Sequence, residues 1–202
     1  MTVPATAVSV LTLSDEDRAR SQVYRLMGAL LVRPPSAELL DALQALDAGD
    51  GHMKAAWALL QQAAAQAVLT DLADEYQDIF IGIGRGELLP YGSWYLTGFL
   101  MEKPLAELRT DLARLGFERQ EATREPEDHA AALCETMSLL IASSPEISFA
   151  EQRDFFRKHL APWMGRFFAD MSVAKSARFY RAVGLLGEQF VEVERNYLEM
   201  PA

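Results

Sequence analysis

The chain reads as an all-α, single-domain bundle of about eight to ten helices. Three observations predict it. Apolar residues recur at spacings of three and four through most of the 202 residues. The breaks between those runs are short and built from Pro, Gly, Ser and Asp, which cap or stop helices. No stretch of useful length alternates apolar and polar residues as a half-buried strand does. At 50% hydrophobic the chain can bury a core unaided. Cys134, its single cysteine, permits neither an intrachain disulfide nor a cysteine-based zinc site, and a reducing compartment fits.

Residues 1–14 read as a loose tail. Ser14 caps a first helix whose opening turn carries Asp15, Glu16 and Asp17 at the positive end of the helix dipole. Ala19, Val23, Leu26, Met27, Leu30 and Leu31 make its apolar face. Arg33-Pro34-Pro35-Ser36 ends it and caps a second helix with Leu39, Leu40, Leu43 and Leu46 aligned. A third helix over 53–68 turns Trp57 and Leu60 inward. A fourth begins at Thr70-Asp71, with Leu72, Tyr76, Ile79 and Phe80 on one face.

Four glycines and a proline make 81–93 irregular. Helices are expected over 94–101 and 104–115, with Gly116 stopping the second, then a polar linker over 117–124. Glu125-Pro126-Glu127-Asp128-His129 is expected to open the next helix, proline first and acids in the first turn. Ser148 and Glu151 are spaced as a capping box for a helix ending near His159. Pro162 starts a short helix with Trp163, Phe167 and Phe168. The last helix, over 174–197, turns Phe179, Val183, Leu186, Phe190 and Val193 inward.

Net charge is −10 and the sequence pI about 4.8. That argues against nucleic acid and anionic membrane surfaces, whose binding needs basic groups, and it suits a basic partner such as an arginine-bearing peptide. Solubility alone explains the acidity equally well. The first twenty residues lack a basic region ahead of an apolar one, and no run of ~18 apolar residues occurs. A cytoplasmic protein without stable membrane insertion is expected.

Gly84 and Gly86 sit in a glycine-rich run that lacks the lysine and the preceding strand of a phosphate loop, so the expectation is a tight turn. Tyr91, Trp94 and Tyr95 then crowd a Pro/Gly-rich loop. They suit a peptide-binding rim, and equally a plug where the loop re-enters the bundle. Glu125, Glu127, Asp128 and His129 admit three readings: a helix start, a patch for a cationic ligand, or acid–base chemistry. Adjacent Asp128 and His129 would diverge on a helix, which disfavours the third. No nucleophile motif is present, Cys134 falls on an amphipathic helix, and no enzyme activity is expected.

These residues resemble the TorD/DmsD family of chaperones for molybdopterin-dependent redox enzymes, within the NarJ-like superfamily. Tyr76-Gln77-Asp78-Ile79-Phe80 is similar to the family's aromatic-x-x-Leu-Phe element, with Ile79 for leucine. Pro90, Tyr91, Ser93 and Tyr95 match its Pro-Tyr-x-Ser-x-Tyr. Glu125, Pro126, Asp128 and His129 match Glu-Pro-x-Asp-His, and His159, Leu160, Pro162 and Trp163 match His-Leu-x-Pro-Trp, all in the family's order. The resemblance implies a helical chaperone that binds the twin-arginine signal peptide of a precursor, delays its export and assists cofactor insertion. It places peptide recognition on Tyr91, Ser93, Trp94, Tyr95, Glu125, Glu127, Asp128 and His129, the acids pairing with the peptide's arginines. Two alternatives follow from the same likeness: a NarJ-like factor for a reductase subunit without an export signal, and a weak GTP site on the glycine loop. No other cofactor is implied. Relatives include monomers and domain-swapped dimers, which makes 117–124 a candidate hinge.

Overall fold

The computed structural model describes residues 13–48, 51–117, 125–144 and 146–200. Most of the expected tail and all but one residue of the 117–124 linker lie outside them, as does Pro145. The described residues form ten α-helices and no β-strand. They are α1 (Asp15–Val32), α2 (Ala37–Ala45), α3 (Lys54–Gln66), α4 (Leu69–Tyr76), α5 (Gly92–Thr97), α6 (Lys103–Arg114), α7 (Ala130–Ala142), α8 (Phe149–His159), α9 (Met164–Val173) and α10 (Phe179–Glu199). A π-helical turn, Gln77–Ile81, prolongs α4. Among the described residues no helix is long and apolar enough to cross a membrane.

Local chemistry sets several boundaries as the sequence predicts. The Ser14 hydroxyl accepts from the Asp17 N–H, Ser36 accepts from Leu39, and Ser148 with Glu151 forms the full capping box. Gly116, at φ 83°, ends α6 in the left-handed conformation that glycine adopts freely.

Four expectations need correction. The 94–101 helix starts at Gly92 and stops at Thr97, because Gly98 turns left-handed. The 125–129 segment is not helical: α7 begins at Ala130, with His129 as its N-cap. The last helix starts at Phe179 and not at 174, because carboxylates from distant elements hold the preceding turn. Glu75 of α4 accepts from the N–H groups of Arg178, Phe179 and Tyr180, and Glu87 accepts from Lys175 and Ser176. Glu75 thus caps α10 from across the fold, satisfying three of the donors a helix start leaves open. Finally, Leu46 and Val193 are exposed, not core. On α10 the inward position belongs to Glu194, which forms a buried, bidentate ion pair with Arg20 of α1 at 2.9 and 2.6 Å.

The core runs through all the long helices, with Trp163, Tyr24, Tyr180, Phe156, Phe167 and Phe168 as its largest fully buried side chains. Helices α1 and α7 lie side by side. They approach closely at Gly28, where an added Cβ would sit 3.3 Å from the Ala131 carbonyl oxygen. A glycine inside a helix costs ~0.5–1 kcal/mol relative to alanine, and close packing against α7 is the return. That small-residue seam becomes the floor of the site.

Candidate functional site

Two motifs remote in sequence are joined by backbone hydrogen bonds. The Gly92 N–H donates to the Asp128 carbonyl at 2.9 Å and the Ala130 N–H to the Pro90 carbonyl at 2.8 Å, a single antiparallel bridge pairing Tyr91 with His129. Asp128 locks it further: its carboxylate accepts from the Ser93 N–H at 2.8 Å, supplying a cap for the first turn of α5. Trp163 supports the bridge from below. Its indole N–H donates to the His159 carbonyl at 2.8 Å, and a Cβ on Gly92 would sit 3.1 Å from that indole nitrogen. Thus buried Trp163, in the turn between α8 and α9, is the surface against which the bridge is seated, whereas Pro162 of the same turn is exposed.

The glycine loop is closed on itself. The N–H groups of Gly82, Glu87 and Leu88 return to carbonyls of the π-turn, at Gln77, Asp78 and Ile79. Gly82, at φ 63°, and Gly86 are sterically required: a Cβ on either would strike backbone atoms, at 2.0 and 2.5 Å. Gly84 lies exposed at the tip. These N–H groups point inward, not at a ligand, which is not how a phosphate loop is built.

Above the bridge lies a groove of about 570 Å³ between α1, the π-turn and α7. Gly28, Ala29, Ala131 and Ala132 lie along the α1–α7 seam, Tyr76, Phe80, Ile81, Val32 and Pro34 give it apolar walls, and Tyr91, Glu125 and His129 stand at one end. Arg25, Arg33 and Glu135 add charge. The walls are fixed: the Tyr76 hydroxyl donates to the Leu31 carbonyl, and the Tyr76, Phe80 and Tyr180 rings pack with centroids 4.9–5.9 Å apart.

At the polar end the Tyr91 hydroxyl donates to Glu125, and the Tyr91 ring meets His129 edge-on at 5.1 Å. Burial, with the Glu125 carboxylate beside it, pushes the Tyr91 phenol far above its ordinary range, so it stays a donor at neutral pH. His129 Nδ1 accepts from the Ala131 N–H at 3.1 Å, which places the neutral ring's proton on Nε2. Burial holds its pKa below the ordinary 6.5, against the opposing pull of Glu125 and Asp128. The groove end therefore offers a carboxylate, a phenol and an imidazole N–H donor beside an apolar channel.

The residues singled out by resemblance are thus divided. Tyr91, Glu125, His129, Tyr76, Phe80 and Pro90 share the groove. Ser93 is fully buried and Asp128 is 3% exposed, both working within the bridge and not displayed. The expectation that all three acids face a ligand is therefore corrected. Asp128 spends its carboxylate on Ser93, and one oxygen of Glu127, Oε2, accepts from both Nε and Nη2 of Arg109 at 3.0 and 2.9 Å. Trp94 and Tyr95 face away. Tyr95 packs on Trp163 and Phe167 and donates to Asp170, while Trp94 lies under Arg85. Sequence reasoning missed Arg25, Arg33, Glu135 and the small-residue floor. Glycine in mid-helix at 28 and paired alanines at 131 and 132 were the available signal.

A family model described as nitrate reductase delta subunit matches residues 37–169, about two thirds of the chain. The chain belongs to this NarJ/TorD family. It is 28% identical over 138 residues to the chaperone protein TorD of Vibrio parahaemolyticus, the match covering 63% of this chain and 64% of that one. A TorD of Shewanella pealeana is 26% identical over 209 residues, covering 91% of each chain. A solved structure described as a redox enzyme maturation protein from Archaeoglobus fulgidus shares the fold. Its TM-score is 0.56 at 18% identity, with 92% of this chain and 99% of that one covered. The aligned region thus spans somewhat under two thirds of the Vibrio relative, whereas the Shewanella and Archaeoglobus matches run nearly end to end.

Proposed function

We propose that this protein is a cytoplasmic chaperone for the precursor of a molybdopterin-dependent oxidoreductase, and that its groove receives the precursor's twin-arginine signal peptide. Relatives named as TorD chaperones support the class. The observation that carries the finer reading is the groove itself, with apolar walls and the Glu125 carboxylate beside Tyr91 at one end. A signal peptide has that layout: cationic groups followed by an apolar run.

In this reading one guanidinium takes Glu125 as a forked pair, displacing the Tyr91 hydroxyl as its partner. The apolar run lies along Val32, Phe80 and Ile81 over the α1–α7 seam. His129 Nε2 donates to a peptide carbonyl. Occupying the peptide delays export while the enzyme acquires its cofactor. A half-exposed site gives modest affinity, because the desolvation of each charge offsets much of the pairing, and a chaperone has to release its client.

Titration with twin-arginine peptides from the source organism's molybdoenzymes, each beside its twin-lysine variant, tests this. Saturable binding weakened about tenfold by the lysine change or by Glu125→Gln supports it. Binding indifferent to both overturns the arginine–Glu125 pairing. The family's nitrate reductase description favours one second reading, a client without an export signal. In that case no signal peptide binds and the apoenzyme does.

A further inference from the structure

Glu125 stands at the groove's end with one hydrogen-bond partner among the described residues, the hydroxyl of Tyr91. Its neighbours in sequence are held within the fold, Glu127 by Arg109 and Asp128 by the Ser93 N–H. Arg25 and Arg33 line the same groove, yet among the described residues neither forms an ion pair with Glu125. The exposed carboxylate is therefore held by a neutral donor and not by a cation of the chain itself.

Tyr91 is seated independently of that hydroxyl. Its N–H donates to the Leu89 carbonyl at 2.8 Å, and its own carbonyl accepts from the Tyr95 N–H at 3.2 Å. Its ring rests edge-on against His129. Burial and the adjoining carboxylate keep the phenol protonated at neutral pH, so the donor is always present and never charged.

We propose that Tyr91 is an internal competitor for the client's arginine: its hydroxyl occupies Glu125 while the groove is empty, lowers the affinity for a guanidinium and hastens its release. The inference rests on the reading that Glu125 receives an arginine, and it adds that Tyr91 opposes that binding. A forked guanidinium takes both carboxylate oxygens in one plane. The phenol lies on Oε2, so the fork forms only as that bond breaks. A hydrogen bond to a charged acceptor shifts an equilibrium by about tenfold, and that is the factor by which Tyr91 weakens the pair. An arginine of the chain in the same place would compete more strongly, because charge on both partners strengthens the bond. A phenol holds the carboxylate and still yields. Once displaced, the hydroxyl of half-buried Tyr91 turns to water. A lysine needs a single oxygen and settles on Oε1, which the phenol leaves open.

Tyr91→Phe deletes the hydroxyl and keeps the ring on His129. Calorimetry and stopped-flow fluorescence follow a twin-arginine peptide binding to wild type, Tyr91→Phe, Glu125→Gln and the double variant, with circular dichroism verifying each fold. Tyr91→Phe is expected to bind about tenfold more tightly than wild type, through slower dissociation. The gain is smaller for the twin-lysine peptide, and little or none remains in the Glu125→Gln background. Loosened packing weakens binding and does not produce this sign. Equal or weaker binding by Tyr91→Phe, with Glu125→Gln still weakening the wild type, overturns the competitor and leaves the arginine–Glu125 pairing standing; Tyr91 then orients the carboxylate. A full gain that persists beside Glu125→Gln overturns it too. Peptide binding that is absent, or indifferent to Glu125→Gln, removes the pairing itself and this inference with it.

Discussion

The bridge at Tyr91–Ser93 and the turn at Phe99–Met101 are neighbours in sequence and opposite in construction. At the bridge nearly every polar group is engaged: Asp128 with Ser93, Pro90 with Ala130, Tyr91 with Glu125. At the turn the backbone is held equally well, through Ser93 and Thr97, but the side chains face water. Ser93 serves both, its N–H anchoring the bridge and its hydroxyl the turn. Buried polar residues at the bridge act first on stability and through it on the groove, whereas the exposed apolar side chains at the turn bear on neither.

Breaking the bridge gives the largest effect. Asp128→Ala leaves the Ser93 N–H without its partner in a buried position, and a loss of ~2–3 kcal/mol is expected in urea denaturation. Asp128→Asn, which keeps an acceptor and removes a carboxylate whose second oxygen has no hydrogen-bond partner, should lose less. If alanine and asparagine cost the same, the cap is not what Asp128 provides. A comparable loss is expected away from the bridge for Glu75→Ala, which deprives the start of α10 of three acceptor bonds.

Acid separates the two regions next. Burial holds the pKa of both His129 and His159 below the ordinary 6.5, so the unfolded chain takes up protons before the folded one does. The stability these groups contribute is complete above pH 6.5 and is lost as pH falls through the folded values. Urea midpoints should drop between about pH 8 and about pH 5.5. His129→Asn, which keeps an N-cap acceptor, should shrink that drop, whereas a substitution at Phe99 should leave the profile parallel to wild type. A profile unchanged by His129→Asn would place the effect at His159 alone.

The smallest effects belong to the exposed turn. Met101→Gly removes a side chain from a left-handed residue and should be neutral or stabilising by up to ~1 kcal/mol, read as a rise in Tm. Phe99→Ser should change stability by less than ~0.5 kcal/mol. A large loss from either would mean that the turn packs against something in the folded chain, and the contrast with the bridge would fail.

Local rules carried much of this fold. Helical spacing, serine caps at 14, 36 and 148 and the glycine stop at 116 placed most helices, because a cap or a left-handed glycine acts within a few residues of itself. The sequence also joined Tyr91, Glu125 and His129 in one candidate site, through resemblance and not through any local rule.

Tertiary structure decided the rest. Proline followed by acids at 125–128 is a sound helix start by local preference, yet hydrogen bonds to the distant 90–93 segment take those residues instead. The start of α10 is displaced in the same way by Glu75 and Glu87, and Val193 yields the inward position to Glu194 because Arg20 needs a buried partner. Which acids reach the groove followed from that contest: Asp128 and Glu127 found partners within the fold, and Glu125 was left at the groove's end. Spacing along a chain fixes the face on which a side chain lies. Which of its possible partners it meets is settled only when remote segments come together.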